Sequence, residues 1–431
     1  MTTQNSILSL PNELIAEITV ASQNGDDEKT KSELILSSIC RRFRDAVISA
    51  PELWTKVEME ATSERSVNLS QLYLERSAAR EVWITLRAFG VGDVRKTSGL
   101  LQLTPHLTRI SRLTVASDYF LDLEGILDIF SNVAVPSLRH FEVVKEGPGF
   151  PDSSYRIPED LFSVGAPRLS SLSLSYCSTG APGQWMNSIT HIDLKNAASL
   201  TNGCREIFTD ITSQLPLLTD LNLDMSRFET MEGTGISSRC LTHIRLDHCG
   251  DDTRALLDIL SCFDTPALSD LTLYECHGDQ ISVLFNSDST QFKSSFSALA
   301  SLSCVQKEPE PETTQCKDNE DVYPHYQTIA SPPIHLFPRL SSWSLINQCF
   351  TARMLTETLG RNSRPWPLLQ TVTVWPLGPD IDAVYDILRE VVQWKRESQE
   401  AVPKLRLSQS LFLREYWVEN GVDVELVEAF T

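Results

Sequence analysis

Four short segments carry the side chains best placed for chemistry. They read His191-x-Asp193-x-Lys195, Asp220-x-Asn222-x-Asp224, His243-x-Arg245-x-Asp247 and Asp270-x-Thr272-x-Tyr274. In each, charged or hydrogen-bonding residues alternate with apolar ones, the pattern of a strand showing one face to solvent. Neighbouring rows of this kind could hold a peptide through hydrogen bonds and ion pairs, with Tyr274 as an aromatic surface. His191 and His243 on one face, with Asp220 between them, have donor types that could ligate a metal. Histidines on a surface are commoner than metal sites, so no metal and no cofactor is expected.

Catalytic signatures are missing from the sequence. It has no G-x-S-x-G, G-x-x-x-x-G-K-[ST], G-x-G-x-x-G or H-E-x-x-H segment, and the expectation is a protein that is not an enzyme. Ten cysteines run from Cys40 to Cys349 without a C-x-x-C pair. In a chain of 431 residues that pattern reads as reduced, buried thiols in a cytoplasmic or nuclear protein. Lys and Arg total 37 against 57 Asp and Glu, a net charge of −20. A field of that sign repels phosphate backbones and anionic lipid, so neither nucleic acid nor membrane is an expected partner. The densest basic cluster is Arg41, Arg42 and Arg44. No apolar run approaches the roughly 20 residues that span a bilayer. The first residues have no basic stretch and Glu13 follows early, so no secretory signal is expected.

The elements that must position those rows repeat along the chain. A template, apolar-x-x-apolar-x-apolar, begins at residues 110, 138, 169, 189, 218, 241, 268, 299, 340 and 369, often after a proline. The steps range from 20 to 41 residues, most of them near the roughly 20–29-residue period of leucine-rich-repeat solenoids. Alternation sends the fourth and sixth template positions toward a core and the third and fifth away from it. One strand cannot cover that core face, so equivalent strands stack about 4.8 Å apart in a parallel sheet with helices behind. Helical stripes fall between the templates at Leu121, Ile126, Leu127 and Phe130, at Ile207, Ile211 and Leu215, and at Leu256, Leu257, Leu260 and Phe263, the last opened by Asp252 and Thr253. Met354, Leu355 and Leu359 give another, and a longer helix over about 380–398 is expected to close the array. Cys177, Cys249 and Cys276 each follow the sixth template residue by three, where such repeats place Asn or Cys in a buried turn. The Pro-rich acidic segment 307–333 is too poor in aliphatic residues to fold and is expected to be a disordered loop, with Cys316, His325 and His335 in or beside it. The outer rows are plainer, with Ser171 and Ser173, Ser342 and Ser344, Thr371 and Thr373.

Residues 8–54 follow a different pattern. Pro11 suits a helix first turn, after which Leu14 and Ile18 share a face with Ile15 beside them. Gln23 to Glu33 reads as a polar loop. A second helix is expected from Leu34 to Ser49, with Ile35, Ile39, Phe43 and Ala46 or Val47 as its buried stripe, and Pro51-Glu52-Leu53-Trp54 as an anchor.

Taken in order, Leu10-Pro11-x-x-Leu14-x-x-x-Ile18, Cys40-Arg41-Arg42-Phe43-Arg44-Asp45 and Pro51-Glu52-Leu53-Trp54 resemble an F-box of the type abundant in mushroom-forming fungi, with Phe43 where that family often carries Trp. Leu72 to Ser77 and Val82 to Leu86 are similar to the linker helix and first strand that follow such boxes. The array behind is similar to the partner-binding half of leucine-rich F-box proteins. The resemblance implies an α/β fold in three parts: a helical F-box over 1–60, a linker helix and first strand over 61–104, and a leucine-rich solenoid over 105–431 with its sheet on the concave face. It also implies a substrate receptor of a cullin–RING ubiquitin ligase, monomeric outside that complex. The box would dock on a Skp-type adaptor through Leu10, Pro11, Leu14 and Ile18, with Cys40, Phe43, Leu53 and Trp54 as its core and remaining contacts. The repeats would capture a protein through His191, Asp193, Asp220, Asn222, His243, Arg245, Asp270, Thr272 and Tyr274. A leucine-rich scaffold without a ligase role is the alternative.

Overall fold

Most of the repeated strands are delivered by one kind of turn. In Val135-Pro136-Ser137-Leu138 the Leu138 amide donates to the Val135 carbonyl at 3.1 Å. The same bond joins Leu169 to Ala166, Ile189 to Met186, Leu218 to Leu215, Leu268 to Thr265, Leu299 to Phe296, Leu340 to Phe337 and Leu369 to Trp366, at 3.0 to 3.2 Å. Proline, whose ring sets φ near about −65°, holds the second turn position at Pro136, Pro167, Pro216, Pro266 and Pro338. Both ends of each turn are buried, apart from the half-buried Leu369, so the turns are pinned to the core as well as hydrogen-bonded.

The structure, a computed structural model, describes residues 10–23, 31–88, 98–145, 155–179, 183–195, 215–224, 236–247, 255–261, 263–275, 296–305, 337–346, 355–356, 359, 366, 368–376, 381–412 and 415–427. The fold is mixed α/β and divides into two units, residues 1–189 and 190–431.

The first unit opens with helices α1 (Asn12–Gln23), α2 (Ser32–Ile39) and α3 (Arg41–Ile48) and a 3-10 turn at Pro51–Trp54. Strand β1 (Lys56–Glu60), helix α4 (Glu64–Arg76), strands β2 (Val82–Ala88) and β3 (Ile110–Ser117), helix α5 (Phe120–Leu127) and strands β4 (His140–Lys145), β5 (Tyr155–Ile157), β6 (Ser171–Ser175) and β7 (Cys177–Thr179) follow. Strands β1, β2, β3, β4 and β6 pair in parallel in that order, and β5 pairs with β7. Behind them Phe130, Phe141, Phe162 and Trp185 meet edge to face with centroids 5.1 to 6.4 Å apart. Helix α4 is capped at its start by Ser63, which accepts from the Ser66 amide, and at its end by Arg109, which donates to the Leu74 carbonyl at 2.5 Å.

In the second unit β8 (His191–Lys195), β9 (Asp220–Asp224), β11 (His243–Asp247), β13 (Asp270–Tyr274), β14 (Ser301–Val305), β15 (Ser342–Ile346), β16 (Thr371–Trp375), β17 (Lys404–Leu407) and β18 (Val424–Leu426) form a parallel series in that order. The short β10 (Ile236–Ser237) and β12 (Phe263–Asp264) pair separately. Helices α6 (Ala255–Ser261), α7 (Ile381–Glu397), α8 (Gln409–Phe412) and α9 (Glu415–Glu419) lie between strands in sequence. From β4 to β16 each template copy becomes a strand beginning at its third position, and within each unit the rungs align position for position. The fourth and sixth positions are buried in every copy.

Several expectations change. The helix anticipated over 34–49 is two, because Cys40 takes an extended conformation (φ −157°, ψ 169°) between them. Within α2, Ile35 and Ile39 are exposed instead of buried, because Leu36 is the side chain turned to the module's core. Glu33 belongs to the first turn of α2, not to a polar loop, and is buried. The parallel series begins at β1, before Val82, because Val57 and Met59 alternate inward just as the later strands do. Helix α7 does not end the array: β17 and β18 continue it, with Leu405 and Leu407 inward. The segment 307–333, Cys249, Cys276, Cys316, His325, His335, Ile207, Ile211, Asp252, Thr253 and Met354 lie outside the described residues. No helix among the described residues is long and apolar enough to cross a membrane.

Candidate functional site

Two regions hold the residues singled out by sequence. The helical module comes first. Its centre is Ile15, Phe43 and Ala46, with Leu10, Leu36 and Cys40 packed at the edge. Leu53 and Trp54 are buried; the Trp54 indole donates to the Val47 carbonyl at 3.0 Å, meets the Tyr73 ring edge to face at 4.9 Å and carries the Arg76 guanidinium at 4.3 Å. Phe43, Leu53 and Trp54 are therefore core residues. Pro11 is exposed, and its carbonyl accepts the Ile15 amide in the first turn of α1.

A polar bolt fastens this module. The Glu33 carboxylate accepts from the Tyr73 hydroxyl on α4 and from the Gln23 side-chain amide at 2.7 Å. The same Gln23 amide donates to the Leu53 carbonyl at 3.2 Å. Burial, then the bond to Glu33, push the Tyr73 hydroxyl well above the usual phenol range.

Outside this core, large apolar side chains face water. Leu14 is 42% exposed, Ile18 50%, Ile35 52% and Ile39 58%. Leu14 and Ile18 are one helical turn apart on α1, as are Ile35 and Ile39 on α2. Ile35 and Ile39 escaped the periodicity argument. Their signal was that Leu34, Ile35, Leu36 and Ile39 are more apolar residues than one face of an eight-residue helix can bury.

The second region is the outward side of β8, β9, β11 and β13. Register aligns His191, Asp220, His243 and Asp270 in one rung line, and Asp193, Asn222, Arg245 and Thr272 in the next. The first line is a chain of contacts. His191 Nε2 is 3.3 Å from Asp220 Oδ2, His243 Nδ1 is 3.2 Å from Asp220 Oδ1, and His243 Nε2 is 3.3 Å from Asp270 Oδ2. Hydroxyls tie it down further: Thr219 donates to Asp220 and Ser269 to Asp270. Beyond lie Lys195–Asp193 at 3.1 Å and Arg245–Asp247 at 2.7 Å, and the Arg245 guanidinium stacks 4.5 Å from the Tyr274 ring centre. The structure thus brings together all nine residues proposed from sequence. Ser344 on β15 and Thr373 on β16 are buried.

No cluster of three or more His, Cys, Asp or Glu among the described residues is arranged to hold an ion. Asp220 spends its two oxygens on the two flanking imidazoles. The buried Cys177 and Cys304 thiols are pushed up to about 12 by burial, which keeps them protonated and inert.

The equivalent positions of β3, β4 and β6 make a different group. Glu142 accepts from the Thr114 hydroxyl at 3.0 Å and lies 3.5 Å from Arg112 and 3.8 Å from His140 Nε2, while His140 Nδ1 meets the Ser171 hydroxyl at 2.9 Å. The facing His140 imidazole, the Thr114 hydroxyl and Arg112 together hold the Glu142 carboxyl at about 2, against the opposing effect of burial. No protein-family model matches this chain, and no curated protein matches it.

Proposed function

We propose that the chain is a non-catalytic substrate receptor, whose helical module docks on a Skp-type adaptor of a cullin–RING ubiquitin ligase and whose strand rows capture a protein. The observation that carries the reading is the set of exposed apolar side chains Leu14, Ile18, Ile35 and Ile39 around a module whose core is already filled. Each large apolar side chain left in water forgoes roughly 1.5–3 kcal/mol, and a partner groove that covers helix faces recovers it. The order of motifs from Leu10 to Trp54 supports the adaptor as that partner. Of the adaptor-facing residues expected from sequence, Pro11, Leu14 and Ile18 are exposed and Leu10 is half-buried; Ile35 and Ile39 join them.

The second half of the reading rests on the rows from His191 to Tyr274, which offer both signs of charge, amide and hydroxyl groups and an aromatic ring on one side of four adjacent strands. Their mixed character suits an extended peptide.

A pull-down with purified adaptor tests the reading. Wild type is recovered with the adaptor, and Leu14→Asp/Ile18→Asp is lost while keeping its thermal transition. Equal recovery of both, or of neither, ends the receptor role. A wild type that ignores the adaptor yet captures another protein identifies a scaffold without ligase function.

A further inference from the structure

We infer that the adaptor-facing helices also carry an electrostatic guide: Arg41 and Arg44 on α3 select a partner whose apolar groove has an acidic lip on the side that meets α3. The inference rests on the adaptor-docking reading above and specifies the partner's chemistry.

The observations are these. The chain bears a net charge of −20, yet α3 packs Arg41, Arg42 and Arg44 into its first four residues against one acid, Asp45. These arginines flank the apolar stripes. Arg44 Nε donates to the Ser37 carbonyl at 3.0 Å, on the helix that carries Ile35 and Ile39. Arg42 donates to the Leu10 carbonyl at 2.6 Å, where α1 begins. Arg41 follows Ile39 by two residues; its side chain is 93% exposed, and the 3.9 Å approach to Asp45 holds it weakly. The α1 stripe has the opposite flank, since Glu13 and Glu17 are exposed beside Leu14 and Ile18.

Apolar contact is indifferent to orientation, and charges at the rim are not. A basic flank on α3 and an acidic one on α1 admit a complementary partner in one orientation and disfavour the reverse. On a chain of this net charge, a local basic edge also draws an acidic lip toward the ridge during diffusional encounter.

Association kinetics of the full chain with the purified Skp-type adaptor test this. Arg41→Glu is the cleanest variant, because that side chain reaches into solvent; Arg41→Glu/Arg44→Glu is the stronger one, and its melting curve reports any loss of folding. The expected result is an association rate roughly tenfold lower for the double variant at low salt, with a dissociation rate changed much less. The gap closes at about 1 M salt, where the screening length is only about 3 Å. If wild type and both variants share one association rate and one salt dependence while Leu14→Asp/Ile18→Asp abolishes binding, the guide is refuted and the docking reading stands. If wild type does not bind the adaptor, both fall.

Discussion

In α1 and α2, Leu14, Ile18, Ile35 and Ile39 stand 42 to 58% exposed, whereas the inward template positions from β3 to β16 are all buried. The two regions use apolar surface for different purposes. The strands bury theirs against the next copy, so their apolar residues maintain the fold and their polar rows face outward. The helical module is too small to cover its own apolar residues. It closes a modest core and is bolted by the polar Glu33–Tyr73–Gln23 group. A small module can be held by satisfied hydrogen bonds while its apolar side chains stay available to a partner.

Truncating a residue from each region gives the sharpest contrast. Phe141→Ala or Trp343→Ala removes a fully buried ring from a strand and is expected to cost about 3–5 kcal/mol in denaturant unfolding. A loss below about 1 kcal/mol would mean the strand cores are not tightly packed. Tyr73→Phe is next. It deprives the buried Glu33 carboxylate of a donor and is expected to cost about 1–3 kcal/mol, seen as faster hydrogen exchange in α2 before the strands respond. Glu142 supplies a pH test. Its folded carboxyl lies at about 2 against an ordinary 4.5, so its stabilisation is full above 4.5 and disappears as pH falls through that window toward 2. The melting temperature of Glu142→Gln should therefore fall below wild type near neutrality and converge with it in acid. A constant difference would show that Glu142 acts through packing alone. The smallest effect is expected for His243→Gln, within about 1 kcal/mol, because the ring is half exposed and its ion pairs are screened. A larger loss would make the His–Asp line part of the fold and not a surface for a partner.

The polar groups on β3 and β4 and those on β8 to β13 occupy the same template positions, yet they behave differently. Around Glu142, three neighbours converge on one carboxylate. From His191 to Asp270 the contacts run in single file across four strands. Register supplies the spacing, and the identity of one side chain decides whether a row closes on itself.

The template strands from β3 to β16, their inward positions and the composition of their outward rows were legible in the chain, because alternation with period two is a local property and a repeated template reports its own register; β1, β17 and β18, which lack the full template, were not. Pro at the second turn position is local in the same way. The break at Cys40 was not legible: the run from Leu34 to Ser49 has no glycine or proline, and the extended conformation comes from packing α2 and α3 around Ile15 and Phe43. Nor could spacing foresee that Leu36 turns inward and leaves Ile35 and Ile39 in water, since a helix apolar on all sides does not say which side finds a neighbour. Glu33 looked like loop polarity until Tyr73, forty residues later, reached it. What the residues alone determined is periodic and near in sequence; what tertiary structure decided depends on which distant side chain arrives to share a buried group.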